Sequence, residues 1–247
     1  IFEAVFECTL QMITANFEDY PDHRLKFFAL LRAITNHCFR ALFTLAPAQL
    51  KLVVDSIVWA FRHTERNIAE TGLNLLLEMM KYFQSSEFCN QFHQSFYLSL
   101  IQEIFAVMTD GFHKPGFKLH ALILQNLFCV AESNELTAPL WDASAGTYPN
   151  NAAFVKDHVA KLLTTSFPNM GPAEAAVLVQ GMFDYKTDLT MFKNHLRDFL
   201  VQTKQFKSTD NSAMFAEEQA ARQTAERAKI EAIPGMIPAN ELEMGDD

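Results

Sequence analysis

The chain has 247 residues, 49% of them hydrophobic, with 8 Gly, 9 Pro and a formal net charge of −9. This apolar content supports a large core, and the breakers are too few for an all-β protein. The acidic balance excludes direct nucleic-acid binding through a basic face, and the longest uncharged apolar stretch, 119–131, is too short for a bilayer span of about 20 residues. Position 1 is Ile1, so the chain is expected to begin inside a longer protein, and no signal-peptide pattern opens it.

Ten helices are expected in chain order. Residues 1–15 form the first, with Val5, Phe6, Thr9, Leu10 and Ile13 inward. Pro21 opens the second, which is expected to run to Leu45 with Leu25, Phe28, Leu31, Ile34, Cys38 and Leu42 as its stripe. Pro47 opens the third, carrying Leu50, Val53, Val54, Ile57 and Phe61. The fourth spans 64–83 with Thr64 as N-cap, and Ile68, Leu75, Leu76, Met79 and Phe83 recur at helical steps. Gly72 on the same face is expected to let the third helix approach closely.

Residues 86–110 form the fifth helix and 117–131 the sixth. The loop 132–151 holds Pro139, Gly146, Pro149 and an Asn-Asn pair. At that length a functional or disordered loop is the usual explanation. Residues 151–167, 174–185 and 187–207 supply three more helices, the last capped by Thr187-Asp188. The tenth spans 211–232 and stops at Pro234-Gly235.

First helices of successive pairs begin near 1, 47, 87, 151 and 188. A period of about 40–47 residues with two helices per unit is that of HEAT repeats. The fold class expected is therefore all-α, an α-solenoid of about five HEAT repeats in which each pair touches its neighbours. Residues 1–207 form the solenoid (pairs near 1–45, 47–84, 86–131 and 151–185, then 187–207), 208–233 an arm helix, and 234–247 an acidic disordered tail. Asn67, Glu70, Asn74, Glu78 and Lys81 share one side of the fourth helix and are candidate concave-face contacts, although a solvated face is the simpler account.

Chemistry-bearing patterns are sparse. There is no glycine loop for a phosphate, so no cofactor is expected. Cys89 and His93 are four apart, but two ligands make no zinc site, and a partly buried Cys beside a polar-face His is the simpler account. Cys8, Cys38, Cys89 and Cys129 are read as reduced, buried thiols. No nucleophile–base pair is evident, so an enzyme is not expected.

The tenth helix stands apart. Seven of its residues are Ala, and Met214, Phe215 and Ile230 are its large apolar ones. Alanine favours helix but gains little on burial, about 0.8 kcal/mol against 1.5–3 for Leu or Phe. A strongly helical, weakly docked segment is either a movable arm or an ordinary terminal cap. Residues 208–247 carry nine acids against three bases, which suits a basic protein surface as partner.

The runs Ile1-Phe-Glu-Ala-Val-Phe-Glu-Cys-Thr-Leu10, Asp55-Ser-Ile-Val-Trp-Ala-Phe-Arg-His63 and Phe192-Lys-Asn-His-Leu-Arg-Asp-Phe-Leu-Val-Gln202 carry a closer resemblance. With the tail, they resemble the C-terminal part of a nuclear export receptor of the importin-β (karyopherin-β) family, along nearly the whole chain. The resemblance implies a receptor that carries leucine-rich export-signal cargo with Ran-GTP through nuclear pores. Its partners would include nucleoporins, and it would shuttle between nucleus and cytoplasm. The export-signal groove would lie outside this segment. The resemblance also implies that the last helix and tail lower cargo affinity without Ran. Those elements map here to 211–233 and 241–247; within the first, Met214, Phe215, Glu217, Glu218, Arg222 and Glu226 are expected to bias the arm's position, and Glu241, Glu243, Asp246 and Asp247 are the acids of the second. The alternative is a generic helical-repeat scaffold with no dependence on Ran.

Overall fold

A computed structural model describes residues 6–15, 19–142, 144, 146–202, 220 and 222–224. The chain separates into two units, Ile1–Thr209 and Asp210–Asp247. In the second unit the described residues, Ala220 and 222–224, are helical.

The first unit is all-helical, with no strand among the described residues. Its helices are α1 (Glu7–Thr14), α2 (Pro21–His37), α3 (Arg40–Phe43), α4 (Pro47–Phe61), α5 (Arg66–Gln84), α6 (Cys89–Met108), α7 (Phe117–Ala131), α8 (Asn151–Ser166), α9 (Pro172–Asp184) and α10 (Leu189–Gln202). A 3-10 turn, Gly111–Gly116, joins α6 to α7. Helices α4 and α5, α6 and α7, and α8 and α9 pair as hairpins. The hairpins stack in series: α2 packs on α5 and α5 on α7, while α1 packs on α4 and α4 on α6. This is the arrangement of an α-solenoid, in which an element buries its apolar face against its neighbours along the stack. At the far end α10 packs on both α7 and α9.

The tightest joint is α4 on α5. A methyl at Gly72 would lie 2.6 Å from the Phe61 backbone nitrogen and 2.8 Å from the Ala60 Cβ. The bare glycine face is what admits the α4 backbone. Ile57, Phe61, Ile68, Leu75, Leu76, Met79 and Phe83 are all buried around that contact, as their spacing predicts. Phe192, Leu196 and Phe199 of α10 are buried too, and Asp188 Oδ1 caps that helix, accepting from the Thr190 and Met191 N–H groups.

Several boundaries differ from expectation. The second helix stops at His37, where Cys38 leaves helical geometry (φ −132°, ψ 31°), and α3 follows. The break turns Phe39 onto Tyr82 (ring centroids 4.7 Å) and Phe43 onto Phe88 (4.2 Å). The buried stripe of α2 is Arg24, Phe27, Phe28, Leu31 and Thr35, whereas Leu25 is 44% exposed. Arg24 rotates the register: its guanidinium donates to the Asp19 carbonyl at 2.6 Å, lies against the Ile13 carbonyl near the end of α1, and stacks over Trp59.

Thr64 is not the N-cap of α5. Glu65 holds that position, and its N–H donates to His63 Nδ1 at 2.9 Å. Helix α6 begins at Cys89 rather than Ser86, because Ser86 Oγ accepts from the Phe88 N–H and closes a turn. Helix α9 begins at Pro172, with Glu174 Oε2 accepting from the Gly171 N–H at 3.0 Å.

Candidate interaction surface

The polar row expected on α5 exists. Asn67 and Lys81 are exposed, and Glu70, Asn74 and Glu78 are half-buried. Part of it is engaged within the helix, since Glu70 pairs with Arg66 at 3.0 Å and Asn74 Nδ2 donates to the Glu70 carbonyl at 2.8 Å. Glu78 reaches across to Arg32 of α2 at 3.0 Å.

That bridge is the first of a series along the stacked helices. Asn126 Nδ2 of α7 donates to Gln84 Oε1 of α5 at 3.2 Å. Gln125 Nε2 donates to the Lys186 carbonyl at 2.8 Å, and Lys186 Nζ pairs with Glu132 at 2.7 Å. Arg62, after α4, pairs with Glu103 of α6 at 3.1 Å. Surface pairs of this kind add about 0–1 kcal/mol each. Their consequence is geometric, because each ties one hairpin to the next and fixes the spacing of the polar row. Arg32, Gln84, Asn126 and Lys186 escaped the sequence reading, since nothing in local spacing says which residues meet across helices.

The long loop is built rather than slack over most of its length. Asn151, buried at the start of α8, accepts from the Leu140 N–H at 2.9 Å and donates to the Leu136 and Ala138 carbonyls at 3.2 and 3.0 Å. From α6, Asn90 Oδ1 accepts from the Thr137 and Ala138 N–H groups at 2.9 and 2.8 Å, and Gln94 donates to the Pro139 carbonyl. Asn150 Oδ1 caps α8 through the Ala153 N–H. Beside the loop lies an open cleft of about 770 Å³, lined by Glu132, Leu136, Pro139, Trp141, Tyr148 and Pro149 among others.

No three His, Cys, Asp or Glu gather as a metal site among the described residues. Cys89 and His93 do face each other, with Sγ 3.6 Å from Nδ1, but His93 is buried rather than on a polar face. Its Nδ1–H donates to the Cys89 carbonyl at 2.8 Å, and burial lowers its pKa. None of the four cysteines is bridged; Cys89 is buried and Cys129 half-buried, but Cys8 and Cys38 are exposed, contrary to expectation. Cys38 is turned outward by the break after α2. His195 Nε2 donates to the Leu178 carbonyl at 2.7 Å, over Gly181 of α9. A further histidine, His120, is wholly buried beside His113, and burial with that neighbour pushes its pKa down to about 3.

Arg222 is exposed on a helical stretch. Met214, Phe215, Glu217, Glu218 and Glu226, and the tail residues Glu241, Glu243, Asp246 and Asp247, lie outside the described residues.

Stacked hairpins laced by a polar row define a helical-repeat solenoid of the kind karyopherins are built from. Residues 1–208 match the family model described as CRM1 C terminal, and the chain belongs to that family. It is similar to Protein EXPORTIN 1A of Arabidopsis thaliana, at 62% identity over 98% of this chain and 23% of the relative. It is also similar to Exportin-1 of Schizosaccharomyces pombe (45% identity, 96% of this chain, 22% of the relative) and of Drosophila melanogaster (41%, 98% and 23%). The chain thus spans roughly a quarter of the length of these curated relatives.

Proposed function

We propose that this chain is the C-terminal portion of a nuclear export receptor. The receptor carries leucine-rich export-signal cargo together with Ran-GTP through nuclear pores, meets nucleoporins on the way, and shuttles between nucleus and cytoplasm. The observation that carries the reading is the match to proteins named exportin-1 at 41–62% identity along nearly the whole chain. The work done is binding rather than chemistry. Residues 1–207 form the last HEAT repeats and contribute to the Ran-embracing ring, with Asn67, Glu70, Asn74, Glu78 and Lys81 on its inner surface.

In this reading residues 208–233 are an autoinhibitory arm, biased in position by Met214, Phe215, Glu217, Glu218, Arg222 and Glu226, and 234–247 are an acidic tail. The weak burial energy of an alanine-rich helix supports an arm that detaches readily. Deleting 211–247 in the full-length receptor should tighten export-signal binding measured without Ran. Unchanged affinity would count against the arm. Capture of partners from nuclear extract with and without non-hydrolysable GTP tests the receptor itself: a GTP-dependent partner supports it, and GTP-independent partners alone would favour a generic scaffold.

A further inference from the structure

The cleft beside the α7–α8 loop is an open concavity with one wall fixed before anything binds. Asn90, Gln94 and Asn151 hold residues 136–140 through backbone hydrogen bonds, so binding there orders little new chain. The far side is an aromatic cluster. Trp141 and Tyr148 lie 5.7 Å apart, both stand against Phe154, and Tyr148 O–H donates to Asp157 Oδ2 at 2.6 Å. Trp141 and Tyr148 are half-buried, so each shows a face to the cleft or to solvent.

The charge on this element is of one sign. Residues 132–151 contain Glu132, Glu135 and Asp142 and no Lys or Arg. Lys186 neutralises Glu132. That leaves Glu135 and Asp142, both exposed, each adjacent in sequence to a residue of the lining. Both carboxyls are held below the usual range by hydrogen bonds from Ser133 and Ser144, so they stay ionised. Burial pushes the Cys89 thiol up, and the field of Glu135 adds to it.

We propose that this cleft docks a short basic segment of a partner protein. An arginine or lysine lies on the Trp141–Tyr148 rings, and its basic neighbours face Glu135 and Asp142. A cation over an aromatic face within about 6 Å gains more when partly desolvated, which the cleft provides. Lys161 pairs with Asp157 at 2.7 Å beside Tyr148, as Lys186 pairs with Glu132, so the excess charge at the cleft is that of Glu135 and Asp142, and it disfavours phosphate and anionic lipid as occupants. The inference does not depend on Ran or cargo, because it rests on the cleft alone.

The test uses the 247-residue chain carrying Trp59→Phe, which leaves Trp141 as the sole tryptophan. Amidated tetra-arginine is titrated against its emission, with hexaproline and tetra-glutamate as comparison peptides. A saturable change with tetra-arginine alone is expected. Glu135→Gln with Asp142→Asn should weaken it about fivefold; asparagine keeps the oxygen that accepts from Ser144, so the loop stays folded. No saturable response, an equal response to hexaproline, or an affinity indifferent to the two loop carboxylates would each overturn the proposal.

Discussion

The helical stack and the α7–α8 loop hold their shapes by different physics. Around Gly72 the stack excludes even one methyl group, and apolar side chains fill the space between α4 and α5. The loop has few buried apolar side chains of its own, Leu136 and Leu140 among them, and is fixed by amides: Asn151 alone makes three backbone hydrogen bonds to it. Burial is spread over many residues and is forgiving, except where two backbones touch. An amide hub concentrates the load on one side chain. The two regions should therefore fail differently.

The largest effect is expected at the backbone contact. Gly72→Leu would drive a side chain into Phe61 and Ala60, and should cost about 3 kcal/mol of unfolding free energy. Gly72→Ala recovers about 1 kcal/mol of helix propensity and should still destabilise, because its Cβ meets backbone that cannot move aside. Urea denaturation of both variants measures this. If alanine stabilises the chain, the joint is looser than described and the contrast with the loop collapses.

Next comes the hub. Asn151→Ala leaves one buried N–H and two carbonyls without their partner and should cost about 2 kcal/mol. The loss should be local. Amide exchange at Leu136, Thr137, Ala138 and Leu140 should quicken well before the helices respond, and Trp141 emission should shift. Uniform exchange across the chain would show instead that the loop is an integral part of the stack.

The same contrast explains what was legible from sequence. Apolar residues recur at three and four, so α4, α5, α7 and α10 could be read directly, and Gly72 stood out on a buried face. Helix ends could not be read as well, because Arg24, His63 and Ser86 act through partners that no spacing announces. Asn150-Asn151 reads as turn punctuation, although one caps α8 and the other fastens the loop. Of the candidate surface, the α5 row was legible by its period. The residues that tether it, Arg32 above all, belong to other helices.

A last experiment sharpens the comparison from the stack's side. Asn151 is a buried polar group with every partner in place; His120 is its opposite, with both ring nitrogens buried and unpartnered among the described residues. It lines a cavity of about 30 Å³ with His63, His113, Arg66 and Glu70, and His113 Nδ1–H in turn donates to Asp110 Oδ2 at 3.1 Å. The folded pKa of about 3 lies below the unfolded value near 6.5, so the unfolded chain binds the proton more readily. Stability is therefore full above pH 6.5 and falls as the pH drops through that value toward 3, by about 1.4 kcal/mol at pH 5.5. His120→Gln removes the titration while keeping a polar side chain of similar size. Denaturation midpoints of the two proteins should diverge between pH 7.5 and about 5.5, with the parent falling faster. Parallel lines would mean that His120 is solvated on folding, and that the stack tolerates polar groups in the same way as the loop.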